Sequence, residues 1–153
     1  MKLAKSAIAR AVDQPSADCR FYLFHGPDEA QSRALAARLL EGLGASKSAV
    51  PSSAIKSNPA LLADEAGAMS LFGGKRLIWI EPAGKEIEDG VLALLDAAAV
   101  ESPVVAIAGA LPKTSPLLKL AEASPAAAAY ASYLPEGDEA ARMVGDIGRR
   151  YGL

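Results

Sequence analysis

Apolar residues in this chain gather in short runs separated by stretches of helical spacing, and the two kinds alternate. Leu3, Ile8 and Val12 stand among alanines and lysines up to the turn-rich Asp13-Gln14-Pro15-Ser16, which predicts a short edge helix over 3–12. Phe21-Tyr22-Leu23-Phe24-His25, preceded by Arg20 and closed by Gly26-Pro27, reads as a buried strand. Asp28 and Glu29 then open a helix with Leu35, Leu39, Leu40 and Leu43 at the 3.6 period, and Gly42 and Gly44 are its stop signals. A weak strand is predicted around Ala54-Ile55-Lys56. Asn58-Pro59 begins a helix with Leu62, Ala66 and Met69 on one face, which the pattern ends at Gly73-Gly74. The run from Arg76 through Leu77, Ile78, Trp79 and Ile80 to Pro82 predicts a second fully buried strand, and Ile87, Val91, Leu94, Leu95 and Ala98 line the helix after it. Val104, Val105, Ala106 and Ile107 form the next strand. Ser115-Pro116 caps a helix bearing Leu117, Leu118 and Ala121, and 127–133 is a weaker strand whose alanine run also suits a helix.

Strands and helices in this alternation imply right-handed crossovers and a parallel sheet covered on both faces. The expectation is a doubly wound α/β domain of five strands flanked by helices, spanning 1–137. Beyond Leu134-Pro135-Glu136-Gly137 a new stripe of Met143, Ile147 and Tyr151 beside Arg149-Arg150 predicts the beginning of a second, helical domain over 138–153. No internal repeat interrupts the pattern.

Composition narrows the function classes. Alanine supplies 33 of the 153 residues and aromatics only 5%, so the 51% hydrophobic fraction is largely small and helix-compatible. A net charge of −2 gives no global positive field for nucleic acid or anionic lipid. One cysteine, Cys19, cannot form an internal disulfide, which fits a reducing, cytoplasmic location, and one histidine, His25, leaves no metal-ligand spacing. The stretch after Met1-Lys2 is interrupted by Arg10 and reads as neither a signal peptide nor a membrane span.

The turn after the first strand is where a nucleotide-binding α/β domain keeps its phosphate loop. Aligning G-x-x-x-x-G-K-[ST] on Gly26 puts Gln31 in place of the second glycine, Ser32 in place of the lysine and Arg33 in place of the Mg²⁺-ligating hydroxyl. Asp28 and Glu29 add two carboxylates where the helix dipole would attract a phosphate. The strand that should end in metal-holding carboxylates offers only Glu81 before Pro82. The P-loop therefore reads as degenerate, and the expectation is no catalytic residue, no cofactor and no metal. His25 reads as structural, and Asp64-Glu65 and Glu86-Glu88-Asp89 as solvated helix faces.

A different segment draws attention. Met69-Ser70-Leu71-Phe72-Gly73-Gly74 sets two large apolar side chains side by side before two glycines. On a helix Leu71 and Phe72 would point about 100° apart, so one face cannot bury both. Either the pair accompanies a glycine C-cap, or it protrudes as an anchor contributing about 3–6 kcal/mol of apolar burial in a partner's pocket.

The residues Phe21-Tyr22-Leu23-Phe24-His25-Gly26-Pro27-Asp28-Glu29, Ser70-Leu71-Phe72-Gly73-Gly74-Lys75-Arg76 and Lys113-Thr114-Ser115 make the chain resemble the delta subunit of the bacterial DNA polymerase III clamp loader, over essentially its whole length. The resemblance implies an AAA+-like domain without a working ATP site, and with 138–153 as the start of a helical lid. It further implies a non-catalytic component of the polymerase holoenzyme that binds the sliding beta clamp and helps open the ring for loading onto primed DNA. Met69, Ser70, Leu71, Phe72, Gly73 and Gly74 would be the clamp-binding residues, with Leu71 and Phe72 entering a pocket on the clamp. Other loader subunits would be met through C-terminal regions absent here, and primed DNA only within the assembled complex, where Lys75, Arg76, Lys113 and Lys119 could approach it. Clamp-binding motifs tend to carry a glutamine shortly before Leu-Phe, where this chain has Gly67 and Ala68. The competing classes are a divergent P-loop nucleotide-binding enzyme, opposed by Gln31, Ser32 and Arg33, and a regulatory α/β module, which would want an acidic cluster at the strand ends.

Overall fold

Residues 1–68 and 74–132 are described by the computed structural model of this chain, and their helices and strands build one five-stranded sheet. The strands are β1 (Phe21–His25), β2 (Ser46–Ala49), β3 (Arg76–Ala83), β4 (Val104–Ala108) and β5 (Ala127–Ala131), in the order β2-β3-β4-β1-β5 and all parallel. The helices are α1 (Ile8–Asp13), α2 (Glu29–Leu43), α3 (Ser52–Ser57), α4 (Ala60–Gly67), α5 (Glu88–Asp96) and α6 (Pro116–Ala123).

The central strands β1 and β4 are buried along their whole length because helices cover both faces, which is why they read as unbroken apolar runs. Alternate residues feed two separate cores. Phe21 and Leu23 pack with Ile55, Leu62, Val91, Leu94 and Leu117 of α3 to α6, whereas Tyr22 and Phe24 pack with Ile8, Val12, Leu35 and Leu39 of α1 and α2. The chain leaves β1 on one face and β2, β3 and β4 on the other, so the sheet is wound on both sides as expected. Residues 133–153, including the predicted lid segment 138–153, lie outside the described residues.

Helix ends follow local chemistry. Asp28 caps α2 by accepting from the Gln31 N–H at 3.1 Å, Gly44 ends it in the left-handed conformation at φ 61°, and Ser115 with Pro116 starts α6. Gly42 is not the expected stop: it lies inside α2, where a Cβ would stand 2.3 Å from the Val12 carbonyl oxygen, so its absence lets α1 close on α2. The N-terminal helix is shorter than predicted because residues 1–3 lie along β5. Leu3 N–H donates to the Ala129 carbonyl and Ala129 N–H to that of Met1, both at 2.8 Å. This covers the outer edge of β5.

Two further expectations are corrected. Ala54-Ile55-Lys56 is not a strand but part of α3, with Ile55 fully buried; a single apolar residue between Ala and Lys fits either period, and burial on the helical layer decides it. The edge strand is instead the polar Ser46–Ala49. The fourth helix also ends earlier than Gly73-Gly74. Its last residue is Gly67, and Ala68 leaves with extended backbone at φ −73°, ψ 135°.

Candidate functional site

At the carboxyl ends of β1 and β4 the winding reverses, which is where open α/β sheets hold ligands. Here the crevice is filled by the chain itself. Gly26 N–H donates to the Gly109 carbonyl at 3.1 Å, Asp28 N–H to that of Ser132 at 3.1 Å, and Ser132 N–H to that of His25 at 2.6 Å. Gln31 N–H is spent on the Asp28 side chain, Ser32 N–H on the Asp28 carbonyl, and Pro27 has no donor. The backbone approach at Gly26 is so close that a Cβ would meet the Ser132 carbonyl oxygen at 2.2 Å. A carboxylate oxygen of Glu29 stands 3.3 Å from where a Cβ of Gly109 would be, so negative charge lies over the switch point.

Glu81, the one acidic candidate at the end of β3, is engaged at both oxygens. Arg33 donates to Oε2 from Nε at 2.8 Å and approaches it with Nη2 at 2.6 Å, while the Trp79 indole donates to Oε1 at 3.2 Å. Hydrogen bonds from Arg33 hold the Glu81 carboxyl below the usual carboxylate range. The guanidinium thus neutralises the one carboxylate at the end of β3. Among the described residues no group of three or more His, Cys, Asp or Glu could hold a metal. His25 is buried, and burial lowers its pKa, with the positive charge of Lys2 adding to this and Glu122 opposing it.

Of the six candidate anchor residues, Met69, Ser70, Leu71, Phe72 and Gly73 lie outside the described residues, and Gly74 is described. The connection that carries them is fixed at both ends: it leaves α4 at Gly67 and enters β3 at Arg76. Because α4 runs back against the strands, the described ends of this connection, Ala68 and Gly74-Lys75, are at the amino end of the sheet, opposite the filled crevice.

Two cavities at that same amino end are absent from the sequence reading. One, about 480 Å³, lies between α1 and the start of β5; the other, about 370 Å³, is bordered by Lys75, Arg76 and Glu101. Cys19 lines both. Its thiol donates to the Phe21 carbonyl at 3.5 Å and burial pushes its pKa up, so it is a protonated thiol and not an activated nucleophile. Loops before strands carry no periodicity, and only the lone cysteine marked the place. No helix among the described residues is long and apolar enough to cross a membrane. No protein-family model matches this chain, and no curated protein does.

Proposed function

We propose that this chain is the AAA+-like portion of a delta-type clamp-loader subunit, a non-catalytic protein that binds the sliding beta clamp and helps open it for loading onto primed DNA. The observation that carries the reading is Ser70-Leu71-Phe72-Gly73-Gly74 in the connection that runs directly into the β3 strand. Two apolar side chains beside glycines, on a short link whose ends are held, suit an anchor for a hydrophobic pocket on a partner. The filled strand-end crevice supports the same reading: a Glu29 carboxylate oxygen lies beside Gly109 at the strand ends and Arg33 holds Glu81, so the residues there suit a degenerate P-loop. ATP would then be supplied by partner subunits, and 138–153 would begin the lid.

The experiment is the affinity of this chain for the sliding clamp, wild type beside the Leu71→Ala/Phe72→Ala double variant, with circular dichroism confirming both folds. The expected outcome is binding by wild type and a loss of about 3 kcal/mol, near a hundredfold in Kd, in the variant. A wild type that does not bind, or a folded variant that binds equally well, overturns the proposal.

A further inference from the structure

One side chain fastens the two ends of the connection between α4 and β3. Arg76 donates from Nη1 to Glu65 Oε2 at 3.1 Å and from Nη2 to the Glu65 carbonyl oxygen at 2.5 Å. That same carbonyl accepts the Ala68 N–H at 3.3 Å, and the next one, of Ala66, accepts the N–H groups of Glu101 and Ser102 at 2.8 and 2.9 Å. On the β3 side, the Lys75 carbonyl accepts the Ser46 N–H at 3.0 Å, which ties the end of the connection to β2. The guanidinium therefore bridges a carboxylate and a helix C-terminal carbonyl at once, with its charge at the negative end of α4. A lysine, with one rotatable ammonium, lacks the fork that engages both acceptors in a fixed geometry.

We infer that Arg76 is a positioning residue whose clasp on Glu65 fixes the spacing and orientation of Ala68 and Lys75, the two ends of the connection whose sequence carries Leu71 and Phe72. The inference rests on the proposed role of that pair as an anchor. A frame fixed beforehand removes part of the ordering cost that binding would otherwise carry. Arg76 need not touch the partner to affect its affinity.

The test compares wild type, Arg76→Lys and Arg76→Ala by affinity for the sliding clamp, by amide exchange at Ala68, Ser46 and Glu101, whose N–H groups bond to the Glu65, Lys75 and Ala66 carbonyls, and by exchange in the central strands β1 and β4. The clasp predicts about tenfold weaker binding and at least tenfold faster exchange at those three amides in Arg76→Ala, a smaller change of both in Arg76→Lys, and unchanged exchange in β1 and β4. A merely structural role would instead accelerate exchange in β1 and β4 together with the connection, and that outcome overturns the inference. Unchanged affinity and unchanged exchange at the three amides in folded Arg76→Ala also overturn it. If wild type itself fails to bind the clamp, the functional reading falls, and exchange at Ala68, Ser46 and Glu101 then decides the clasp alone, faster in Arg76→Ala supporting it and equal overturning it.

Discussion

Gly26 occupies a backbone position closed to every other residue: φ is +114° and the space of a Cβ is already taken by the Ser132 carbonyl. Gly26→Ala combines backbone strain with displacement of the β5 end, and about 2–4 kcal/mol should be lost in chemical denaturation. A loss under about 0.5 kcal/mol would show that the turn relaxes freely. The neighbouring His25 governs a pH response. Its pKa is lowered in the fold, chiefly by burial, so the unfolded chain binds the proton first as pH falls. The stability it contributes is complete above the unfolded value of about 6.5 and declines below it, through the lower folded value. Unfolding midpoints measured from pH 7.5 to 5 should therefore fall more steeply for wild type than for His25→Gln; parallel curves would mean that His25 is solvated in the fold.

At the scale of elements, two arginines separate exposed from buried electrostatics. Arg33 pairs with Glu81 at the surface, its side chain 54% exposed, so Arg33→Ala should barely change stability, and less still in high salt. Arg20 instead donates from one nitrogen to the carbonyls of Leu94, Leu95 and Ala97 at 3.3, 3.5 and 2.6 Å, closing the end of α5 against β1. Arg20→Ala leaves these acceptors half-buried without a donor, and denaturation should show a loss of about 1–3 kcal/mol, insensitive to salt. Equal losses for the two variants would contradict this ranking. The central elements were legible because their cause is local: β1, β3 and β4 are runs buried on both faces, and Asp28, Ser115 and Pro116 cap helices by their own chemistry. β2 was not, since Ser46–Ala49 is polar and becomes a strand only by pairing with Arg76 to Trp79, where Lys47 lies 4.2 Å over the Trp79 ring. The end of α4 was not either. Its last carbonyls are taken by Arg76, Glu101 and Ser102, all beyond the helix in the chain, and the glycines at 73 and 74 were the only local signal. At the candidate sites the failed phosphate pattern was readable residue by residue, but the Arg33–Glu81 pair that stands in its place required the approach of α2 to β3.

For the whole molecule, a fold wound on both faces concentrates ligand chemistry at the carboxyl ends of its strands. In this chain that end is closed by its own backbone and lined by Glu29, whereas α4 ends at Gly67 and β3 begins at Arg76 on the opposite end. With a net charge of −2, attraction between fields gives little, and recognition would fall to the apolar pair. The consequence for nucleotides is measurable. A ligand at one hundred times its Kd stabilises a fold by about 2.7 kcal/mol. For a chain of this length that would raise the thermal midpoint by about 5–10 °C. MgATP at about 1 mM should leave the midpoint within about 1 °C, because the Gly26, Asp28, Gln31 and Ser32 donors are already spent and Glu29 repels the γ-phosphate. A rise of several degrees would show that the chain binds the nucleotide and return it to the nucleotide-binding class. Its absence in wild type, together with clamp binding lost in the Leu71→Ala/Phe72→Ala variant, would put function in the connection between α4 and β3.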